Sequence, residues 1–411
     1  MELCRLTDLL NSTTHNLAAL NKSYSASSSV EALGKADHIE LLAAARRLVT
    51  ALEVPEMTIL KISKGPAGHA ALRTALMLNV FDNWTSEERR SASDLASQTG
   101  SEELLLTRIM RTLASIGIFE EQGENTYMHN TLSRALTDVT FRTLIIGLSS
   151  TASLTMAKLP EYLASSGFSN PSDPENSLFH YCLETKLNMF QWLKTQPEQL
   201  TMFSEFNAAG TRLQASSLKA TISALFPKKE PVGTVNAIDT TENLVMMVDI
   251  GAGRGRILKE FRRERPDLVG RMIAQDLPEV IAGIAPSNGV ETMCHDFFQP
   301  QPVEGASVYF FRHILHDWPD VACRQILTNT ISALTPNYSE IVIVDQVLPN
   351  TGVAPFSAFM DLTMMTFGGM ERTEKQWRIL LEGVGLSITS IEGPKAGILS
   401  LDSTIKASLR V

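Results

Sequence analysis

His316 lies in the segment RHILHDWPD, residues 312–320, where it has the surroundings expected of an acid–base catalyst. The apolar run before it predicts a strand, so the histidine would lie just past the strand's carboxyl end. Asp345, which ends the run IVIVD, and Glu371, in GGMERTEKQW, are acids that a parallel sheet would bring to the same edge. We predict that His316 is a general base supported by these two carboxylates. The alternative is a capping or core histidine.

The chemistry that this group suits is methyl transfer to a hydroxyl. A hydroxyl is a poor nucleophile, so a base must take its proton during in-line attack on a group with a good leaving atom such as a sulfonium. A carboxylate on the far imidazole nitrogen fixes the tautomer and stabilises the imidazolium formed by proton uptake.

A glycine-rich stretch, LVMMVDIGAGRG, spans residues 244–255. The apolar run predicts a buried strand, and Gly251, Gly253 and Gly255 predict a sharp turn in which a ligand approaches the backbone closely. The following ILKEFRRE is compatible with a helix, so the unit predicts a strand, a turn and a helix. Such a turn is typical of a site for a nucleotide-like ligand.

The acids that follow the turn indicate which ligand. Asp276 ends the next predicted strand about 20 residues later, where an acid reaches ribose hydroxyls. The third glycine comes one residue too early for the dinucleotide pattern GxGxxG, which disfavours NAD and favours S-adenosylmethionine. Asp296 could accept a hydrogen bond from an adenine amino group while Phe297 covers the ring. The alternatives are a helix cap for an acid and a core position for Phe297.

The composition bounds the protein class. The 411 residues suggest two or three domains, and the net charge of −9 argues against a dedicated nucleic-acid binder. The four cysteines include no CxxC pair, which argues against a zinc site or a disulfide framework and favours a reducing compartment. We expect no signal peptide, no membrane span, no metal and a cytoplasmic location.

The first part of the chain is predicted to be helical, with helices within 6–24, 39–54 and 69–84. Residues 91–130 then predict two helices and a two-stranded wing with a turn at 123–125, which is a winged-helix arrangement. The longer helix, predicted over 104–116, carries only Arg108 and Arg111, whereas sequence-specific DNA readers usually place several basic residues there. We therefore favour a dimerisation role over DNA binding.

Residues 141–230 are predicted as a helical connector, in which a stripe of methionines and aromatics forms either core or a wall of the substrate pocket. Residues 228–243 are predicted to be a linker or surface loop. From residue 244 strands and helices alternate, which predicts a mainly parallel sheet with seven strands, the last of them at 397–405.

The segments VDIGAGRG, QDLPEVI, HDFFQPQPVEGA, YFFRHILHDWPD and IVIVDQVLP together resemble the plant and fungal S-adenosylmethionine-dependent O-methyltransferases, the caffeate O-methyltransferase-like family. The resemblance implies an α/β fold: a Rossmann-like class I methyltransferase domain over 231–411 and an N-terminal α-helical winged-helix dimerisation domain over 1–140. It also implies a homodimer and His316, Asp345 and Glu371 as catalytic residues. The cofactor contacts that it implies are Gly251, Gly253, Asp276, Leu277, Asp296, Phe297 and Arg312.

The chain departs from the plant pattern in three places, one of which is Gly210 at the end of FNAAG, where plant members often carry a substrate-contacting methionine. Its glycine turn reads GAGRG rather than GGGxG, with a bulky Arg254, and the segment DLTMMTFGGMER is shorter and lacks a polar His-Asn pair. These departures indicate the fungal secondary-metabolism branch and a phenolic or enolic natural product as the substrate. The alternatives are a related fold that catalyses dehydration or pericyclic cyclisation without methyl transfer, and a non-catalytic protein that binds DNA through its winged helix.

Overall fold

The computed structural model describes residues 35–85, 87–150, 152–214, 219, 221–223, 225, 244–282, 289–394 and 401–410. The chain divides into two compact units, Met1–Arg142 and Thr143–Val411. Within the described ranges, no helix has both the length and the apolar character that a bilayer crossing requires. Three predicted segments lie outside the described residues: the helix within 6–24, the linker at 228–243 and the start of the last strand, 397–400.

The N-terminal unit is helical with a small antiparallel sheet. Its helices are α1 (Lys35–Leu52), α2 (Pro55–Met77), α3 (Ala92–Thr99), α4 (Glu103–Ser115) and α5 (Thr131–Ala135), and its strands are β1 (Arg89–Ser91), β2 (Phe119–Gly123) and β3 (Thr126–His129). The sheet order is β1-β3-β2. The hairpin β2–β3 is the predicted wing, with Asn125 in the left-handed region at its turn (φ 51°). The winged-helix prediction is confirmed, and β1 is a further strand that the sequence pattern did not indicate.

The prediction of a helix over 69–84 is wrong at the C-terminal end, because α2 stops at Met77. Asn79 then adopts a left-handed conformation (φ 54°), which asparagine tolerates better than most residues. The chain turns there and packs Trp84 onto Phe119, with ring centroids 5.2 Å apart. Packing in the core therefore ends a helix that the apolar spacing would continue.

The second unit is built around one large sheet. Its strands are β4 (Val245–Ile250), β5 (Arg271–Asp276), β6 (Glu291–Cys294), β7 (Val308–Arg312), β8 (Glu340–Leu348), β9 (Arg372–Thr373), β10 (Leu386–Glu392) and β11 (Asp402–Leu409). Its helices are α7 (Ala152–Ser165), α8 (Leu178–Leu183), α9 (Met189–Lys194), α10 (Pro197–Leu213), α11 (Arg256–Glu264), α12 (Pro278–Ile281), α13 (Asp320–Ile331), α14 (Pro355–Met364) and α15 (Glu374–Glu382), with single 3₁₀ turns at Leu315–Asp317 and Met365–Phe367. The helix α6 (Val139–Ser150) spans the division between the units.

The sheet is mainly parallel, as the sequence predicts. The strand order is β10-β11-β8-β7-β4-β5-β6. The five neighbouring strands β8, β7, β4, β5 and β6 are parallel, and β11 is antiparallel to both of its neighbours, β8 and β10. All six residues of β4 are buried, as expected for a central strand that is covered on both faces. Val248 and Ile250 join the core on one face of the sheet, and Met247 joins the core on the other.

The strand order reverses at β4, because β5 and β6 lie on one side of it and β7 and β8 on the other. Ligands of open α/β sheets bind in the crevice at the carboxyl ends of the strands at such a point. Two strand ends differ from the prediction. β6 stops at Cys294, so Asp296 lies in the loop beyond it, and β8 continues to Leu348, so Asp345 lies inside a strand and is fully buried.

Candidate active site

The glycine-rich turn follows β4 directly at the crevice. Gly251, Gly253 and Gly255 all have left-handed backbones, with φ of 73°, 57° and 66°. The N–H groups of Gly251 and Ala252 both donate to the carbonyl oxygen of Gln275 at 2.9 Å, which ties the turn to β5. A Cβ at Gly251 would clash with the Ile314 side chain. The left-handed backbone therefore favours glycine here, and a side chain would also displace Ile314.

Asp276 holds the turn in place from the end of β5. Its Oδ2 accepts from the Gly253 N–H at 2.7 Å, and its Oδ1 accepts from the Leu277 N–H at 2.7 Å. Burial raises the pKa of this carboxyl, which the two N–H bonds partly offset. Each carboxylate oxygen can accept a second hydrogen bond, so Asp276 retains the capacity to receive two ribose hydroxyls. The turn and this acid therefore fit a nucleoside ligand.

The loop after β6 places an aromatic ring beside the turn. Phe297 borders Gly251, with its Cε1 3.8 Å from the position of a Cβ there, and its ring meets Trp318 edge-on at 6.1 Å. Asp296 is exposed, and its Oδ1 accepts from the Phe298 N–H at 2.9 Å. Phe297 therefore lies beside the turn, while Asp296 caps its own loop.

Arg312 ends β7 and already has partners within the chain. Its guanidinium hydrogen-bonds the Gln214 side chain and lies 3.6 Å from Asp402 Oδ2. The next residue, His313, is in a left-handed conformation (φ 53°), and its Nε2 is 2.9 Å from Asp402 Oδ1. No local pattern indicates Asp402, because only the pairing of β11 with β8 brings it to this edge.

His316 is surrounded by three carboxylates. Its Nδ1 is 3.0 Å from Glu371 Oε1 and 3.9 Å from Asp345 Oδ1, and its Nε2 is 3.6 Å from Asp317 Oδ1. The structure thus brings the predicted trio together, but only Glu371 is within hydrogen-bonding distance. Asp345 is fully buried, and neither of its oxygens has a hydrogen-bond partner among the described residues. Asp317 was missed, although it directly follows His316 in the same motif.

Charge in this cluster is strongly coupled. Burial alone would lower the pKa of His316, but Asp345, Asp317 and Glu371 outweigh it and raise that pKa to about 10. Burial raises the pKa of Asp345 to about 8 and that of Asp317 to about 6, against the opposing effect of His316. The structure therefore favours an imidazolium at neutral pH.

A second buried acid lies under the turn. Asp249 is next to last in β4 and is 2% exposed, and its Oδ2 has no hydrogen-bond partner among the described residues. Burial raises its pKa to about 7, which the Arg312 cation partly counters. An acid closing an apolar run just before a glycine turn is a visible sequence signal, but we assigned no role to it.

The segment Gly369–Arg372 fixes the loop that carries His316. The Met370 N–H donates to the His316 carbonyl at 2.9 Å, and a Cβ at Gly369 would clash with that carbonyl. Arg372 is fully buried and donates to the carbonyls of Leu315 at 2.8 Å and Trp318 at 2.9 Å. The guanidinium also binds Asp320 Oδ1 at 2.8 Å. Glu371 therefore reaches His316 from a segment that is bonded to the same loop on both sides.

Residues 217–387 match the family model of the O-methyltransferase domain, and residues 60–138 match that of the O-methyltransferase dimerisation domain. Demethylsterigmatocystin 6-O-methyltransferase of Aspergillus parasiticus is 33% identical over 334 residues, which cover 80% of this chain and 83% of the relative. The chain belongs to the O-methyltransferase family. The predicted family, fold class and enzyme class are confirmed.

Solved structures agree with this assignment. OxaC in complex with SAH and oxaline superposes with a TM-score of 0.81 at 25% identity, covering the whole of both chains. The solved structure of a pericyclic reaction enzyme has a TM-score of 0.77 at 24% identity and covers 98% of this chain and 100% of its own, and this likeness concerns the fold. The O-methyltransferase uses S-adenosylmethionine and methylates a hydroxyl of a small natural product, as expected for the fungal secondary-metabolism branch.

The bonds of Arg372 predict a large loss of stability in Arg372→Gln. We expect the free energy of unfolding to fall by about 2–4 kcal/mol, because two buried carbonyls lose their donor. The matched control is Arg378→Gln, which removes an exposed bond to Glu374 one helical turn away and should change stability by about 0.5 kcal/mol or less. Urea unfolding measures both, and equal losses in the two variants would contradict the role given to Arg372.

The carboxylates around His316 predict its titration. In the protein without added ligand, NMR of labelled histidine should give a pKa near 10 for His316, and Glu371→Gln should lower it. Because the folded value lies above the unfolded value of about 6.5, protonation of His316 stabilises the fold fully below that pH. This contribution is lost as the pH rises through about 10. His129, whose burial lowers its pKa to about 4, is the internal reference. A value near 6.5 for His316 would exclude the charge coupling.

Proposed function

We propose that His316 is the general base that takes the proton from the acceptor hydroxyl during methyl transfer. The observation that supports this is the 3.0 Å contact of His316 Nδ1 with Glu371. A carboxylate at Nδ1 makes that nitrogen the donor and leaves Nε2 as the acceptor. Glu371 then stabilises the imidazolium that forms, while Asp317 lies on the Nε2 side, where the hydroxyl would bind.

The base must be neutral before it accepts a proton. In the structure, three carboxylates favour the protonated imidazole. A positive charge held nearby lowers the pKa of a histidine, since it disfavours a second cation. S-adenosylmethionine supplies the methyl group on a positively charged sulfonium, which is a good leaving group. We therefore propose that binding of the positively charged S-adenosylmethionine lowers the pKa of His316 and so favours its neutral form.

We assign the cofactor to the crevice at the carboxyl ends of β4 and β5. Gly251 and Gly253 would permit close backbone approach, Asp276 would accept from the ribose hydroxyls, and Phe297 would cover the adenine. These roles are supported by the left-handed turn, the spare acceptor capacity of Asp276 and the position of Phe297 beside Gly251. The further proposed contacts are Leu277, Asp296 and Arg312.

The acceptor pocket is proposed to lie between Asp317 and the helical connector. A narrow crevice there has polar groups beside aromatic walls; its lining includes Ser177, Asn188, Met189, Phe190, Asp317, Trp318 and Phe367. Phe190 stacks on Trp318 with ring centroids 5.7 Å apart. Flat aromatic walls beside a carboxylate suit a planar phenolic or enolic substrate. The connector, predicted as 141–230, would then contribute the substrate side of the site.

The O-methyltransferase carries a dimerisation domain, and we propose that it forms a homodimer in the cytoplasm. The exposed apolar residues of α2, which include Met57, Ile59, Leu60 and Ile62, support a protein partner for that helix. Light scattering at micromolar concentration should give twice the chain mass. A monomer mass would contradict this.

Methyl transfer is tested with extracts of a pathway-blocked host, incubated with the enzyme and methyl-labelled S-adenosylmethionine. We expect mass spectrometry to detect a product heavier by one labelled methyl group. An isomerised or dehydrated product without label would instead support pericyclic or dehydration chemistry on this fold. With the acceptor in hand, turnover can be measured in variants.

We expect His316→Asn to lower kcat by about 10²–10⁴-fold, the usual contribution of a general base. Glu371→Gln should also lower it strongly, since Nδ1 loses its carboxylate. Asp345→Asn should cost less than about tenfold, because Asp345 lies 3.9 Å from Nδ1 and is not hydrogen-bonded to the ring. Unchanged turnover in His316→Asn would remove that residue from the role of base.

A further inference from the structure

A buried ion network joins the end of β7 to the start of β11. Asp402 lies 3.6 Å from the Arg312 guanidinium through one oxygen and 2.9 Å from His313 Nε2 through the other. The side chains of Arg312 and Asp402 are 10% and 6% exposed. Burial would raise the pKa of Asp402, but His313 and Arg312 hold it below its usual range. The carboxylate is therefore ionised and balances the guanidinium.

This network borders the cofactor crevice. Phe311 pairs with Ile250 across β7 and β4, so Arg312 and Gly251 are the next residues at the carboxyl ends of the two strands. The Arg312 charge reaches the buried Asp249, where it opposes the rise in pKa caused by burial. Arg312 thus contributes its charge at the point where the strand order reverses.

The two forms of the cofactor differ by one positive charge at sulfur. S-adenosylmethionine is a sulfonium, and the spent S-adenosylhomocysteine is a neutral thioether. An unbalanced guanidinium beside the crevice would repel the sulfonium without affecting the thioether to the same extent. A second cation near the crevice, Lys194, whose charge reaches Asp276, is likewise paired, with Glu279.

We propose that Asp402 is a positioning residue that neutralises Arg312, and that this pairing keeps the crevice from disfavouring the cationic methyl donor relative to its neutral product. The proposal rests on the cofactor assignment. It does not require His316 to be the base. His313 has a strained left-handed backbone and contacts Asp402 from the same strand end, which supports a geometry set by the network.

The test is calorimetry of S-adenosylmethionine and S-adenosylhomocysteine binding to the full chain, with the ratio of the two Kd values as the readout. Asp402→Asn keeps an acceptor for His313 but removes the charge. We expect the Kd of S-adenosylmethionine relative to that of S-adenosylhomocysteine to rise on the order of tenfold. Arg312→Gln should shift the ratio the other way, and the double variant Arg312→Gln/Asp402→Asn should return it to the wild-type value.

The matched control is Glu291→Gln, which breaks an exposed Arg271–Glu291 pair at the opposite edge of the sheet and should leave the ratio unchanged. A merely structural role for Asp402 would weaken both ligands alike, and that result would overturn the proposal. If Asp402→Asn does not fold, the Arg312→Gln variant alone tests the proposal. An unchanged ratio of the two Kd values in that variant would show that the charge of Arg312 does not affect the choice between the two ligands. Binding of both ligands without any methyl transfer would instead contradict the proposed function.

Discussion

The contact between His316 and Glu371 sets the conditions that the rest of the site must meet. The imidazole is 12% exposed and the carboxylate is fully buried, so both charged forms are largely removed from water. A buried charge is costly unless it is paired and hydrogen-bonded in good geometry. The chain meets this requirement with a segment, Gly369–Arg372, that bonds the His316 loop through its backbone and through Arg372. The distance from Nδ1 to Glu371 follows from these anchors.

The glycine turn after β4 is also held by a side chain that bonds the backbone, but here the side chain accepts the hydrogen bonds, whereas Arg372 donates them. There the Asp276 carboxylate accepts hydrogen bonds from the backbone N–H groups of Gly253 and Leu277. The same acid that is proposed to bind the ligand therefore also holds the glycine turn in its conformation. The surroundings of both halves of the site are rich in carboxylates, and the cation at the turn, Arg312, is balanced by Asp402. A crevice with this charge suits a cationic donor and an acceptor that must lose a proton.

Sequence reasoning reached most of the fold, because strand-ending acids, glycine spacing and apolar runs are local signals. It placed the parallel strands, the winged hairpin and the trio His316, Asp345 and Glu371. It misplaced the end of α2, which depends on how Trp84 packs on Phe119. It also read Asp345 as a strand end, although β8 continues past it and buries it.

The amino-acid sequence by itself determined which chemical groups are present, and it placed the glycine turn and Asp276 at strand ends that parallel strands bring to one edge. Only the tertiary structure decided which of those groups contact each other. Glu371 bonds the imidazole while Asp345 lies 3.9 Å away, and Asp402, distant in sequence, pairs with Arg312. The physical reason is that pairing across β8 and β11 and the burial of each carboxyl depend on contacts between residues far apart in the chain. Such contacts fix distances and protonation states, and no local pattern encodes them.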